Sequence, residues 1–543
     1  MTPSGEQIVE VINEGVFPST TESTDLDDYS SEVSVPRELS VEPVLSLQKK
    51  EPCGERPQGL CFVHRPQQPS TDAVLLGQAM VDMLPDNVLL EIFDFYKEDP
   101  ASQIPLVSIG PGTWRWKTLI QVCRRWRCVI FGSPRRLDLR VVCTDTTPTR
   151  TSLDIWPPFA ISILCRHRVD EKSVENVIAA LESRHRIYHI FIDDINGSAL
   201  EILAAAMQKP LPILQGFGLK SNDESVPMPA LPKKFLGGYA PSLEFIGLYG
   251  IPFPTLPKLM LSGAQIVGLV LFDIPNSGYI SPDVMVTCLG ELPSLNYLFI
   301  RFQSPIFHPP QTAPSRTRAV LPALINFAFY GMSEYFEAFV AQIDTPLLDD
   351  LTVSFFVEPT FYIPQLRHFI DRVERLKPFN PARMEFSDGA IGITCGFPRR
   401  FELRIRCERP DWKLSSMTQI LGQQLPLLSH LEELEIFQSP DAKIEWMDNP
   451  DMNSSLWLDL FHLFIASQSL YVSEKLVPPI AAALQELTGE RTMEVLPALH
   501  SLSLEGIQPC GPKEEGIKSF INSRELSGHP VTLQSWKRHL SID

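Results

Sequence analysis

The chain has 543 residues, 44% of them hydrophobic and 21% charged, with a formal net charge of −18. That length allows more than one domain and a large core, and the composition is globular rather than fibrous. Its 65 acidic residues against 47 basic ones speak against general affinity for phosphate backbones or anionic membranes.

From the N-terminus, "MTPSGEQIVEVINEGV" lacks the basic and apolar regions of a secretory signal. No run reaches the eighteen or so continuous apolar residues of a membrane span. Ten cysteines with no Cys-x-x-Cys pair suit free thiols in a reducing compartment, so a cytoplasmic or nuclear location is expected. Residues 1–78 are rich in Ser, Thr, Pro, Glu and Gln, and the first fifty carry ten acids against three bases. Such a stretch buries too little apolar area to offset its ordering entropy, which predicts a mostly disordered acidic tail.

At Leu84 the texture changes. "LPDNVLLEIFDFY" places Leu89, Ile92, Phe93 and Tyr96 at helical spacing, which predicts one apolar face, with Pro85 in the first turn. "KEDPASQIPLVSIGPGT" (97–113) reads as a loop. A second helix follows, with Leu119, Val122, Cys123, Trp126 and Ile130 predicted on one face and Gly132 and Pro134 ending it. The stretch Trp114–Arg136 holds six Arg, one Lys and no acid, a pattern that raises nucleic-acid binding. The apolar spacing of Trp126 and its neighbours argues instead for packing or docking. The basic residues are expected on solvated flanks and adjoining loops, packing or pairing with acidic neighbours.

"LDLRVVC" (137–143) predicts a short strand. A loose repeat then recurs, Pro-x-Leu-x-x-apolar-x-apolar: Leu243/Ile246/Leu248, Leu295/Leu298/Ile300, Leu324/Phe327/Phe329 and Leu348/Leu351/Val353. Ile266/Leu269/Leu271 lacks the proline, and Leu431/Leu434/Ile436 and Leu499/Leu502/Leu504 come later. Spacings of 23, 29, 29 and 24 between the first anchors match the period of leucine-rich repeats, in which a strand and a helix stack per unit. The spacing fails between 353 and 431. "PQLRHFIDRVERL" predicts a helix through Leu366, Phe369, Ile370, Val373 and Leu376. The expected fold class is α/β: a curved solenoid with a concave sheet.

Sites for chemistry are weak. Cys53, Cys61 and His64 lack a fourth zinc ligand. His185 and His189 would share a face only on a helix, and "HRIYH" has no acid in the zincin position. "GPKEEGIKS" (511–519) separates Gly from Lys and fails the phosphate-loop pattern. No G-x-S-x-G or other nucleophile signature is present, so no catalytic, cofactor or metal residues are expected.

Leu84-Pro85 with "VLLEIF", then "LIQVCRRWR" after a loop, resembles the F-box, and "VIFGSPRRLDLRVVC" resembles fungal F-box proteins with a divergent leucine-rich-repeat-like body. The resemblance implies a small all-helical F-box over 79–140 and a substrate-binding repeat body over 141–543. It implies a non-catalytic substrate receptor that docks on a Skp-type adaptor of a cullin-RING ubiquitin ligase and recruits a target protein. Leu84, Pro85, Leu89, Ile92, Phe93, Val122, Cys123 and Trp126 would form the adaptor-facing surface or its support. A ligase-independent scaffold of the same architecture is the alternative.

Overall fold

The computed structural model describes residues 84–97, 115–134 and, apart from short stretches of which 306–317 is the longest, 137–536. The expected tail (1–78), Cys53, Cys61 and His64, and residues 98–113 of the expected loop lie outside the described residues. Residues 79–543 form one compact unit.

Among the described residues, sixteen strands build one sheet. β1 (Arg140–Thr144), β2 (Ala160–Cys165), β3 (Ile187–Ile192), β4 (Gly216–Lys220), β5 (Phe245–Tyr249), β6 (Gly268–Ile274) and β7 (Tyr297–Phe302) lie side by side in chain order, all parallel. A short pair, β8 (Ala319–Val320) and β10 (Ile343–Asp344), stands apart. β9 (Asn326–Gly331) and β11 (Asp350–Phe355) continue the parallel sheet.

The repeat anchors explain this order. In each unit the last two anchors are alternate residues of a strand and point the same way. Ile246 and Leu248, Leu298 and Ile300, and Phe327 and Phe329 are all buried, and so is every other anchor of the repeat. Helices such as Glu171–Leu181, Pro282–Leu289 and Ser333–Val340 lie between strands in sequence. Their apolar residues join the same continuous core. Helices therefore cover one face of the sheet and leave the other open, where Val142 and Leu164 form a separate small cluster with Phe191. The expected helix runs Pro364–Arg372, with a 3-10 turn to Leu376. Glu337 of the preceding helix fixes its start by accepting from the N–H groups of Gln365 (2.6 Å) and Leu366 (2.8 Å).

Where the repeat spacing fails, the topology changes. β12 (Ala382–Ser387), β13 (Ala390–Cys395) and β14 (Phe401–Arg406) form an antiparallel meander. It is set into the sheet in reverse, with β14 beside β11 and β12 beside β15 (Glu433–Gln438). Asp388-Gly389 makes the two-residue turn between β12 and β13. Lys413, wholly buried, braces that turn by donating to the carbonyls of Ser387 (2.5 Å) and Asp388 (2.7 Å). β16 (Ser469–Val472), β17 (Ser501–Glu505) and β18 (Thr532–Trp536) then resume the parallel stack.

Candidate functional site

The first described helix, α1 (Asp86–Lys97), packs with α2 (Arg115–Val122) and α3 (Arg124–Gly132). Pro85 supplies the carbonyl that accepts from the N–H groups of Val88 (3.0 Å) and Leu89 (3.1 Å), and Asp86 in the first turn complements the positive helix end. Arg125 of α3 pins this start. It pairs with Asp86 at 2.8 Å and donates to the carbonyl of Leu84. Arg127 donates to the carbonyl of Ile120 at 3.0 Å. Two arginines of the basic stretch thus fasten the module: Arg125 pairs with an acidic neighbour, as expected, and exposed Arg127 holds a backbone carbonyl.

The single helix expected through Leu119, Val122, Cys123, Trp126 and Ile130 is broken. Cys123 is extended (φ −155°, ψ 169°), and its thiol accepts from the Trp126 N–H at 3.4 Å, as a Ser hydroxyl would at an N-cap. No Gly or Pro marks the break. Beyond it, Ile130 is buried and Trp126 packs inward, its ring 4.8 Å from that of Phe93. Val122, before the break, is 58% exposed.

α1 is apolar on two opposite sides. Leu89, Leu90 and Phe93 enter the core. Val88, Ile92 and Phe95, at i, i+4 and i+7, form an outward stripe with exposures of 36%, 46% and 82%. Ile92 therefore does not share a buried face with Leu89 and Phe93, as the spacing alone predicted. Of the eight expected docking residues, Leu89 and Phe93 are core, Leu84 and Trp126 pack half-buried against it, and Cys123 is half-buried at the helix break. Pro85, Ile92 and Val122 face solvent. Val88 and Phe95 were missed, although their helical spacing is legible once α1 is read for a second stripe.

The second candidate surface is the open face of the sheet. Rings lie across neighbouring strands there: Tyr249–Phe272 at 5.3 Å, Phe272–Phe299 stacked at 5.4 Å and Phe299–Tyr330 stacked at 5.2 Å. Small residues make room for such rings; a Cβ on Gly218 would stand 2.6 Å from the Phe191 ring. The Arg301 guanidinium lies 4.4 Å from the Phe272 ring centroid and 2.8 Å from Asp273. Burial pushes the Tyr330 hydroxyl upward, as it does that of Tyr297, which keeps both neutral.

The remaining sequence candidates resolve as structure. His185 sits in a 3-10 turn (Arg184–Arg186) and His189 in β3, so the helical face that would pair them does not form. The His189 ring lies 2.7 Å from Arg140; burial, then Arg140, pushes its pKa down to about 3. Of the lysine-bearing segment (511–519), residues 511–514 lie outside the described residues and 515–519 open the helix Glu515–Leu526. A Cβ on Gly516 would stand 2.5 Å from the Ala481 carbonyl oxygen, so this glycine serves close packing. Among the described residues no group of His, Cys, Asp or Glu is arranged to hold a metal, and no helix is long and apolar enough to cross a membrane. A cavity of about 20 Å³ lined by Leu248, Phe253, Leu271 and Tyr335 has room for roughly one water.

Fold and surfaces together define an α/β protein of stacked strand-and-helix units with a helical cap at its N-terminal end. No family model matches the chain, and no curated protein matches it. Among solved structures, the leucine-rich repeat-containing protein LegL7 from Legionella pneumophila is 12% identical, covering 73% of this chain and 99% of its own, with a TM-score of 0.26. A likeness at that score carries no argument.

Proposed function

We propose that the chain is an F-box-type substrate receptor. Its helices within 79–140 dock on a Skp-type adaptor of a cullin-RING ubiquitin ligase, and its leucine-rich-repeat-like body, 141–543, holds a target protein for ubiquitin transfer. The chain itself is non-catalytic, and its working location is cytoplasmic or nuclear. The observation that carries the reading is the outward stripe Val88, Ile92 and Phe95 on α1; Val122 of α2 is exposed as well. A helix that has already met the core with Leu89, Leu90 and Phe93 gains nothing from a second apolar stripe unless a partner covers it. Covering a fully exposed side chain of this kind is worth about 1.5–3 kcal/mol. The Leu84-Pro85 start and the Val122-Cys123 to Trp126 run resemble the F-box; of these, Pro85 and Val122 are exposed, while Leu84 and Trp126 pack against the core.

Co-capture tests it. Wild type is expected to recover a Skp-type adaptor and a cullin, and the double variant Ile92→Ala/Phe95→Ala to lose at least about tenfold of the adaptor with an unchanged melting temperature. Recovery of no adaptor by wild type ends the receptor reading. Recovery of adaptor without cullin favours the ligase-independent scaffold.

A further inference from the structure

The two ends of the sheet are finished differently. In β1 the central residues Val141, Val142 and Cys143 are all buried. In β18, at the other end, none of the residues Thr532–Trp536 is buried. Thr532 donates to the His500 carbonyl at 2.8 Å. Alternate residues of a strand turn their N–H and C=O groups to opposite sides, so those of Leu533 and Ser535 point away from β17. Among the described residues no strand pairs with that outer side. Such an edge is usually blunted by charged side chains, proline or a bulge. "TLQSW" contains no charge and no proline, and its register with β17 is unbroken.

The helical layer stops in the same place. Gly516 of the helix Glu515–Leu526 faces the preceding helix, Val477–Gln485, where an added Cβ would stand 2.5 Å from the Ala481 carbonyl oxygen. At about 100° per residue, Lys518 and Glu525 fall on the opposite side, two turns apart, and both are exposed. Half-buried Ile521 lies between them. This is the side on which a next unit would stack, and its two ends carry opposite charges.

We propose that this end of the body docks a second copy of the same chain, with the two β18 strands antiparallel about a two-fold axis at Gln534. In that register Leu533 and Ser535 of each copy exchange both N–H···O bonds with Ser535 and Leu533 of the other, so each outward group finds a partner. Thr532 then stands across from Trp536 on the open face, a β-branched residue beside an aromatic ring. Reversal of the strands reverses the helices as well. Lys518 of each copy meets Glu525 of the other, around a centre between Ile521 and Asn522. A foreign strand satisfies the backbone edge equally well but does not supply this reciprocal charge pattern, which selects a copy of the chain itself. One strand and one helix side make a small interface, so the pairing depends on concentration. The inference goes beyond the receptor reading and needs neither the adaptor nor a target.

The test is sedimentation velocity of the full chain from about 1 to 100 µM. Wild type is expected to pass from monomer to dimer across that range. Ser535→Pro removes an outward N–H that the sheet itself does not use, and should stay monomeric with an unchanged melting temperature. Glu525→Lys opposes like charges and should weaken the dimer at least about fivefold. The swap Lys518→Glu/Glu525→Lys should restore it to within about twofold of wild type, since each copy again meets the opposite sign. If Ser535→Pro lowers the melting temperature, the charge variants decide alone. A wild type that stays monomeric throughout, a dimer indifferent to a folded Ser535→Pro, or a swap as weak as Glu525→Lys would each overturn the proposal. Adaptor capture by Ser535→Pro and by the charge variants should match wild type, so the receptor reading stands or falls separately.

Discussion

The helical cap and the sheet body use apolar residues in opposite ways. In the body each repeat contributes a strand whose alternate residues, such as Leu298 and Ile300, are wholly buried. In α1 the apolar residues point both ways, and only the side bearing Leu89 and Phe93 has something to pack on. Apolar spacing thus states that a face will be covered, but not by what. In the body the cover is the chain's own next element; on the outer side of α1 Val88, Ile92 and Phe95 stay exposed among the described residues.

That contrast can be broken at several points. The largest effect is expected for Phe329→Ala. This ring is fully buried with Phe336 at 5.1 Å and Tyr335 at 5.8 Å, and its removal should cost about 3–5 kcal/mol in denaturant unfolding. A loss below about 1 kcal/mol would mean that the anchors do not carry the body. Next comes a pair two residues apart. Phe93→Ala should cost about 3 kcal/mol, and Phe95→Ala within about 0.5 kcal/mol while releasing the adaptor; similar stability losses for both would erase the distinction between the two sides of α1.

A smaller effect is expected at Glu337, whose pKa burial raises from 4.5 to about 7, opposed by the N–H groups of Gln365 and Leu366. A carboxyl with a raised folded pKa binds more protons folded than unfolded, so its contribution to stability is full below pH 4.5 and is lost as pH rises through about 7. Glu337→Gln should flatten this part of the stability–pH curve and gain on the order of 1 kcal/mol above pH 7. An unchanged curve, followed by chemical denaturation across that range, would show that the helix start tolerates the charge at no cost. Smallest is Cys123→Ser, expected within about 0.5 kcal/mol of wild type because a hydroxyl can take over the cap, whereas Cys123→Ala should lose about 1 kcal/mol.

Legibility in the sequence follows the same divide. Every anchor of the Leu-x-x-Leu-x-Leu repeat is buried, because a period repeated over many units leaves one consistent inside. Strands such as Ala160–Cys165 follow prolines (Pro157-Pro158) but lack the Leu-x-x-Leu-x-Leu spacing and stay hidden in mostly apolar runs. The meander was a gap in the spacing, although its Asp-Gly between Met384/Phe386 and Ile391/Ile393 is a strong hairpin signal. In the cap, the break at Cys123 was not legible, since cysteine is an unusual N-cap and the apolar steps run straight through it. Neighbours on the open face were invisible for a different reason. Tyr330 and Arg404 come near each other only through a register that the inserted meander sets.

That meander also governs how the chain can assemble. Ordinary neighbours in the sheet are joined by short connections: Phe327 and Leu351 pair across 24 residues. The two joints of the insertion reach about twice as far, Leu351 to Phe401 and Ala382 to Leu434. A stack of units normally grows by adding the next one to an existing edge. Here the edge at β11 is met by the last strand of the meander, while its first strand meets β15. The longest closures of the sheet therefore sit mid-chain, where one insertion joins the two parallel stacks.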